Sequence, residues 1–267
     1  MLEGSGRKSR WISGAPPLSF KAFAAGKLEN YRIYGNTVGG ESVGDLVESG
    51  EHAGEYKVPV TVEGKNLINS SINEIRNTGV EYTVNNDKSV TANGSTSSSF
   101  SLFLVKVYLT KGSYIISGCP QNGSQNTYRC DIRDMVLTSL AIDAGAGVTY
   151  RNVTDGYYYY SIRIAQNYTC DNLTFYPMIR KADIEDDTYE PYRTPIAVPI
   201  YLPEPLKMVG DEAEYVDFEK QKQYFADGTE TDVTLPALPV AAGTNVLSVG
   251  TAVQPSKVEV KGKIKAL

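Results

Sequence analysis

Short runs of β-branched and aromatic residues, each closed off by Gly, Asn, Asp or Ser, recur along the whole chain. That punctuation favours strands and leaves little room for helices. In "VEYTVNNDKSVTANG", Val80, Tyr82 and Val84 alternate with polar residues, "NNDKS" supplies a turn, and Val90 and Ala92 resume the alternation. This is the pattern of a β-hairpin. Aromatic usage points the same way, with 19 Tyr against 7 Phe and 1 Trp. Only Ser70–Asn77 and Asp211–Phe225 invite a helical reading, and the second reads better as a hairpin turning near Glu219 to Gln221. The expected class is all-β.

A chain of 267 residues exceeds what a single core usually organises, so more than one module is expected. Three segments emerge. Residues 1–64 hold a polar arm and the strand candidates "PLSFKAF", "NYRIYG" and "EYKVPVTVEG"; residues 65–193 form a longer β unit; residues 194–267 form a C-terminal β-rich module. Prolines 195, 199, 203 and 205 suit an extended connector or edge strand at the second boundary. In the middle unit "SYIISG", "YYYYSIRIA" and "NLTFYPMI" follow the hairpin at sandwich-like spacing.

Charge narrows the partners. Net charge is −5, and the densest basic cluster is Arg7, Lys8 and Arg10, so the contiguous positive surface that nucleic acid requires is missing from the sequence pattern. Neither nucleic acid binding nor membrane insertion is expected, since no run of about 18 apolar residues occurs. No ordinary signal peptide is recognisable at the start either. The sequons at Asn69, Asn93, Asn122, Asn152, Asn167 and Asn172 fit Asn/Ser/Thr-rich loops. Cys119, Cys130 and Cys170 are too few for a disulfide framework or zinc site, although Cys119 and Cys130 are close enough in sequence to bridge.

One stretch matches a catalytic motif. "GGESVGD" contains Gly40-x-Ser42-x-Gly44, the spacing of a hydrolase nucleophile elbow. Such an elbow needs a strand entering, a helix leaving, and a distant histidine. The only histidine, His52, lies ten residues on, and Gly50 and Gly54 crowd the exit, so a glycine-rich turn is the better reading. The acidic run Asp183, Glu185, Asp186, Asp187 and Glu190 lacks the ordered spacing of a calcium loop and reads as solvated. No catalytic residue, metal or cofactor is expected.

A ligand surface is the stronger signal. In Tyr157–Ala165, Ile162 and Ile164 share a face with Tyr158 and Tyr160, which turns Tyr157, Tyr159, Ser161 and Arg163 the other way. Tyrosine rings stack on sugars, while amides and guanidinium groups bond their hydroxyls. Candidate carbohydrate-binding residues are therefore Tyr157, Tyr159 and Arg163, with Gln121, Asn122, Gln125, Asn126, Tyr128 and Arg129 of "CPQNGSQNTYR". The competing reading is cross-strand tyrosine packing or a subunit interface.

The order of "GKNLINSS", "VEYTVNNDKSVTANGST", "LTKGSYIISGCP" and "NLTFYPMIRKADIEDDTYEPY" resembles a domain recurring in tail proteins of phages and prophages of Gram-positive bacteria. "NYRIYGNTVGGESVGDL" before it and "PIYLPEPLKMVGDEAEYVDFEKQKQ" after it are similar to the segments flanking that domain. The resemblance runs from about residue 18 onward, and the segment Met1–Trp11 stands outside it, an arm expected to dock on a neighbouring subunit. It implies a virion tail-tip or baseplate protein, assembled in the host bacterial cytoplasm. Its central jelly-roll-like β-sandwich would be similar to carbohydrate-binding modules and recognise cell-surface polysaccharide without catalysis. Other tail subunits, including further copies in a homo-oligomer, are the implied protein partners. A purely architectural subunit and a polysaccharide hydrolase or esterase are the alternatives.

Overall fold

The computed structural model describes residues 11–14, 17–36, 42–76, 79–97, 99–261 and 265–266, and among them every helix or strand element is a strand. The chain is all-β. Two compact units result: Gly64–Arg193, and a second built from the described residues up to Glu63 together with those from Thr194 onward. Of the N-terminal arm Met1–Trp11, all but Trp11, which begins the strand Trp11–Gly14, lies outside the described residues, as do Gly40 and Glu41 of the serine motif.

The segments 1–64 and 194–267, expected as separate modules, share one unit. Leu18–Ala22 pairs with Gly243–Val249, and Tyr31–Tyr34 lies between Lys257–Lys261 and Tyr215–Asp217. Each strand takes from the other segment the hydrogen-bond partners its own segment does not supply. The proline-spaced stretch becomes the edge strand Ile196–Leu202, antiparallel to Tyr56–Gly64, with Pro199 opposite Pro59. Tyr31 stacks on Phe218 at 3.5 Å within the core of this unit. The hairpin foreseen in Asp211–Phe225 pairs Tyr215–Asp217 with Lys222–Tyr224, and Asp217 closes its turn by accepting from the Glu219 and Lys220 amides.

Eleven described strands make the middle unit: β1 (Glu74–Arg76), β2 (Val80–Val84), β3 (Val90–Ser95), β4 (Ser101–Leu109), β5 (Gly112–Ser117), β6 (Tyr128–Arg133), β7 (Ser139–Asp143), β8 (Val148–Asn152), β9 (Gly156–Ile164), β10 (Thr169–Phe175) and β11 (Met178–Lys181). A five-stranded sheet runs β7-β6-β9-β4-β1, and two three-stranded sheets run β8-β5-β11 and β10-β3-β2. All pairings are antiparallel.

Alternation decides what each sheet buries. From the five-stranded sheet, Phe103, Val105 and Val107 of β4, Cys130 and Ile132 of β6, and Tyr158, Tyr160, Ile162 and Ile164 of β9 enter one buried cluster. Val80, Val90, Ala92, Tyr114, Ile116, Phe175 and Ile179 of the smaller sheets complete it. A fully enclosed side chain such as Phe103 contributes roughly 2–3 kcal/mol by leaving water. The buried phenols stay hydrogen-bonded, Tyr160 donating to the Ser117 carbonyl at 3.1 Å and Tyr158 to that of Thr154 at 3.1 Å.

Local chemistry shapes the turns. In the β2–β3 hairpin Asp87 accepts from both the amide and the hydroxyl of Ser89, bonds that hold its carboxyl below the ordinary range. Gly118 after β5 has φ +115°, and a Cβ there would stand 2.0 Å from the Tyr176 carbonyl oxygen, so glycine is required. All three cysteines are free and buried. Burial pushes the Cys170 thiol up to about 11 and Cys130 well above its usual value.

The two ends of this unit meet at Lys65. Its wholly enclosed ammonium lies 3.1 Å from Asp186 Oδ1 and 3.3 Å from Glu190 Oε1, and donates to the Asp186 carbonyl and the Thr188 hydroxyl. Part of the acidic run read as solvated is thus a cage for an internal cation, while Asp183, Glu185 and Asp187 remain exposed. Next to it, Asn66 donates to the carbonyls of Pro177 and Glu190 and accepts from the amides of Ile68 and Ile179. Removing the enclosed ammonium leaves two partly buried carboxylates without it and opens a cavity, so Lys65→Ala should lower stability by about 3 kcal/mol, seen as a reduced urea midpoint. A thiol reagent at pH 8 should react slowly with the native protein and label three cysteines once it is unfolded, because all three thiols are buried away from the reagent.

Candidate functional site

The face of the five-stranded sheet turned away from the core collects the polar residues of three neighbouring strands. Cross-strand register sets the rows: Lys106 beside Tyr159 beside Arg133; Leu104 beside Ser161 beside Asp131; Leu102 beside Arg163 beside Arg129. Tyr108 lies opposite Tyr157. The alternation that buries Tyr158 and Tyr160 obliges Tyr157 and Tyr159 to stand on this side.

The middle row is sealed. Leu104, Ser161 and Asp131 have no exposed surface, because arginine side chains fold across them. Arg133 pairs with Asp131 Oδ2 and donates to the Ser161 hydroxyl at 2.8 Å and the Leu137 carbonyl at 2.8 Å. Arg129 Nε stands 3.0 Å from Asp131 Oδ1. Burial raises the Asp131 carboxyl above its ordinary value, and Arg133 and Arg129 pull against that rise.

The outer rows are partly open: Leu102, Arg129 and Arg133 are buried in them, while Lys106 is exposed and Tyr159 and Arg163 are half-buried. Tyr157 is 54% exposed, with the Lys106 ammonium 4.3 Å above its ring and Tyr108 edge-on at 5.1 Å. Such contacts order a ring without enclosing it. Tyr159 is half-buried between Lys106 and Arg133. Arg163 donates to the Gln125 carbonyl at 2.9 Å and lies over the Phe100 ring at 5.1 Å. The loop ahead of β6 therefore abuts the Arg163 end of the face.

Tyr157, Tyr159, Arg163 and Arg129 lie on one face of the sheet, with Arg129 buried against Asp131. Tyr128 does not. Adjacent strand residues project oppositely, so with Arg129 outward Tyr128 is buried, its hydroxyl bonded to the Gln121 carbonyl at 2.6 Å and its ring edge-on to Tyr168 and Phe175. Gln121 is committed to the loop itself, its amide donating to the Gly145 carbonyl. Asn122 takes a left-handed turn conformation, φ 67°, and is exposed, as are the side chains of Gln125 and Asn126. Only the Gln125 backbone carbonyl joins the face.

Sequence reasoning missed Lys106, Tyr108, Asp131 and Arg133. The alternation Arg129-x-Asp131-x-Arg133 in "YRCDIR" was the available signal. In β4 apolar residues on both faces, Leu102 and Leu104 against Phe103 and Val105, hide the parity.

Ser42 precedes an isolated antiparallel bridge between Val43 and Leu206. His52 is occupied nearby by Glu55, 2.6 Å from its Nδ1, and by the stacked ring of Tyr201. Among the described residues no group of three or more His, Cys, Asp or Glu is arranged to hold a metal ion.

What fold and face define is an all-β chain whose sandwich-like middle unit presents tyrosines and arginines on one sheet surface. No protein-family model matches the chain, and no curated protein matches it. If Asp131 neutralises Arg129 and Arg133 across the sealed row, Asp131→Asn should cost about 3 kcal/mol, measured as a lowered urea midpoint, because two largely buried guanidinium groups lose their carboxylate.

Proposed function

We propose that this chain is a non-catalytic tail protein of a phage or prophage of Gram-positive bacteria, and that its middle unit recognises host cell-surface polysaccharide. The observation that carries this reading is the placement of Tyr157 and Tyr159 with Arg163 on the coreless side of the five-stranded sheet. Rings held by packing offer flat apolar surface to a sugar at small entropic cost, and a guanidinium supplies directional donors. On this reading the middle unit is a jelly-roll-like relative of carbohydrate-binding modules. The chain acts in the virion tail, assembled in the host cytoplasm among other tail subunits and further copies of itself. Shallow sites become effective by repetition, linked copies raising avidity by roughly two to four orders of magnitude.

Exposed apolar side chains on the β6–β7 hairpin favour a second, architectural reading. Met135, Val136, Leu140 and Ile142 are between 41% and 82% exposed, and Ile142 shares the outer face through its register with Asp131. A neighbouring subunit would cover them.

A pull-down on host cell-wall polysaccharide separates the two. Tyr157→Ala and Tyr159→Ala should each weaken binding by about tenfold at an unchanged melting temperature, the effect of removing a stacking ring. Unchanged binding, together with a stable oligomer in solution that protects these tyrosines, would replace recognition with architecture.

A further inference from the structure

Resting on the polysaccharide reading above, we infer that the face takes an anionic polysaccharide, with a carboxylate or phosphate of the sugar chain seated on the Arg163 guanidinium. Three arginines share this part of the sheet with one carboxylate. Asp131 is consumed by Arg133 and Arg129, which approach its two oxygens from either side. Among the described residues Arg163 has no carboxylate in ion-pair contact; its anchor is a neutral carbonyl, that of Gln125.

The guanidinium is also held ready. Phe100 lies beneath it and the Gln125 carbonyl takes one of its NH1 protons, leaving the rest of its fork of donors for a ligand. Partial burial and repulsion from Arg129 lower the Arg163 pKa, with Asp131 opposing the shift. An incoming anion relieves that repulsion. Lys106 adds a second cation beside Tyr159 at the other end of the face. Tyr159 and Arg163 are four steps apart along β9, about 13 Å at a strand's rise, a span suited to a polymer rather than a single sugar.

The setting sharpens the case. A chain with net charge −5 repels polyanions at long range, so a cationic face on it confers local selectivity instead of general stickiness.

Matched polymers test this with the full chain. Polygalacturonate and its fully methyl-esterified form share a backbone and differ in charge, and poly(glycerol phosphate) presents phosphate in place of carboxylate. Wild type should bind at least one of the anionic polymers about tenfold or more tightly than the ester, the scale of a charge-assisted hydrogen bond, and should weaken between 50 and 500 mM NaCl. Arg163→Gln should abolish the preference at an unchanged melting temperature, lowering acid binding to the level at which the same variant binds the ester, and Arg163→Lys should keep part of it. Which polymer responds tells carboxylate from phosphate. Equal, Tyr159-dependent binding of acid and ester would overturn the anionic inference and leave polysaccharide recognition standing. Failure of every polymer to bind would remove both, and an acid preference that survives Arg163→Gln would place the anion site elsewhere and overturn the assignment.

Discussion

The enclosed ammonium of Lys65 ties the beginning of the middle unit to its end. Asp186, Thr188 and Glu190 surround it from more than a hundred residues away in the chain, and Asn66 repeats the link with three further hydrogen bonds, to Pro177, Ile179 and Glu190. A buried charge of this kind tolerates little displacement, because each lost partner leaves an ion without water or counter-charge. Between the two ends held in this way, the sheets bury their apolar faces in one cluster.

Those faces hand the remaining side chains to the other side of the sheet, where a second electrostatic arrangement takes over. Asp131 sits at the centre of a dry row and draws Arg129 and Arg133 across it. Arg163, one row away, is left with a carbonyl and a ring as neighbours. Chemically identical side chains are therefore divided by their distance from one carboxylate: two pair with it and the third does not. Tyr157 and Tyr159 border this arrangement without entering the core, and the proposed recognition of polysaccharide rests on that placement.

Legibility followed the strength of the local pattern. The Val80–Gly94 hairpin, the tyrosine alternation in β9 and the turn near Glu219–Gln221 could all be read, because each rests on apolar residues alternating or flanking a short polar stretch. Tyr128 was misassigned because the whole of "CPQNGSQNTYR" resembles a polar loop, whereas Tyr128 already belongs to β6 and points inward. The acidic run was misread for a related reason. Five carboxylates in eight residues look solvated when their partner, Lys65, lies far off in sequence.

Strand content, the hairpins and the two sides of β9 were determined by the sequence itself, since alternation and turn chemistry act between residues a few positions apart. Which strands lie side by side was decided only in three dimensions. The outer segments merge into one unit because backbone donors and acceptors of Leu18–Ala22 and Tyr31–Tyr34 find their partners beyond Thr194. The cationic face likewise exists only once β4, β9 and β6 are in register, because charges tens of residues apart act on each other through space and not along the chain.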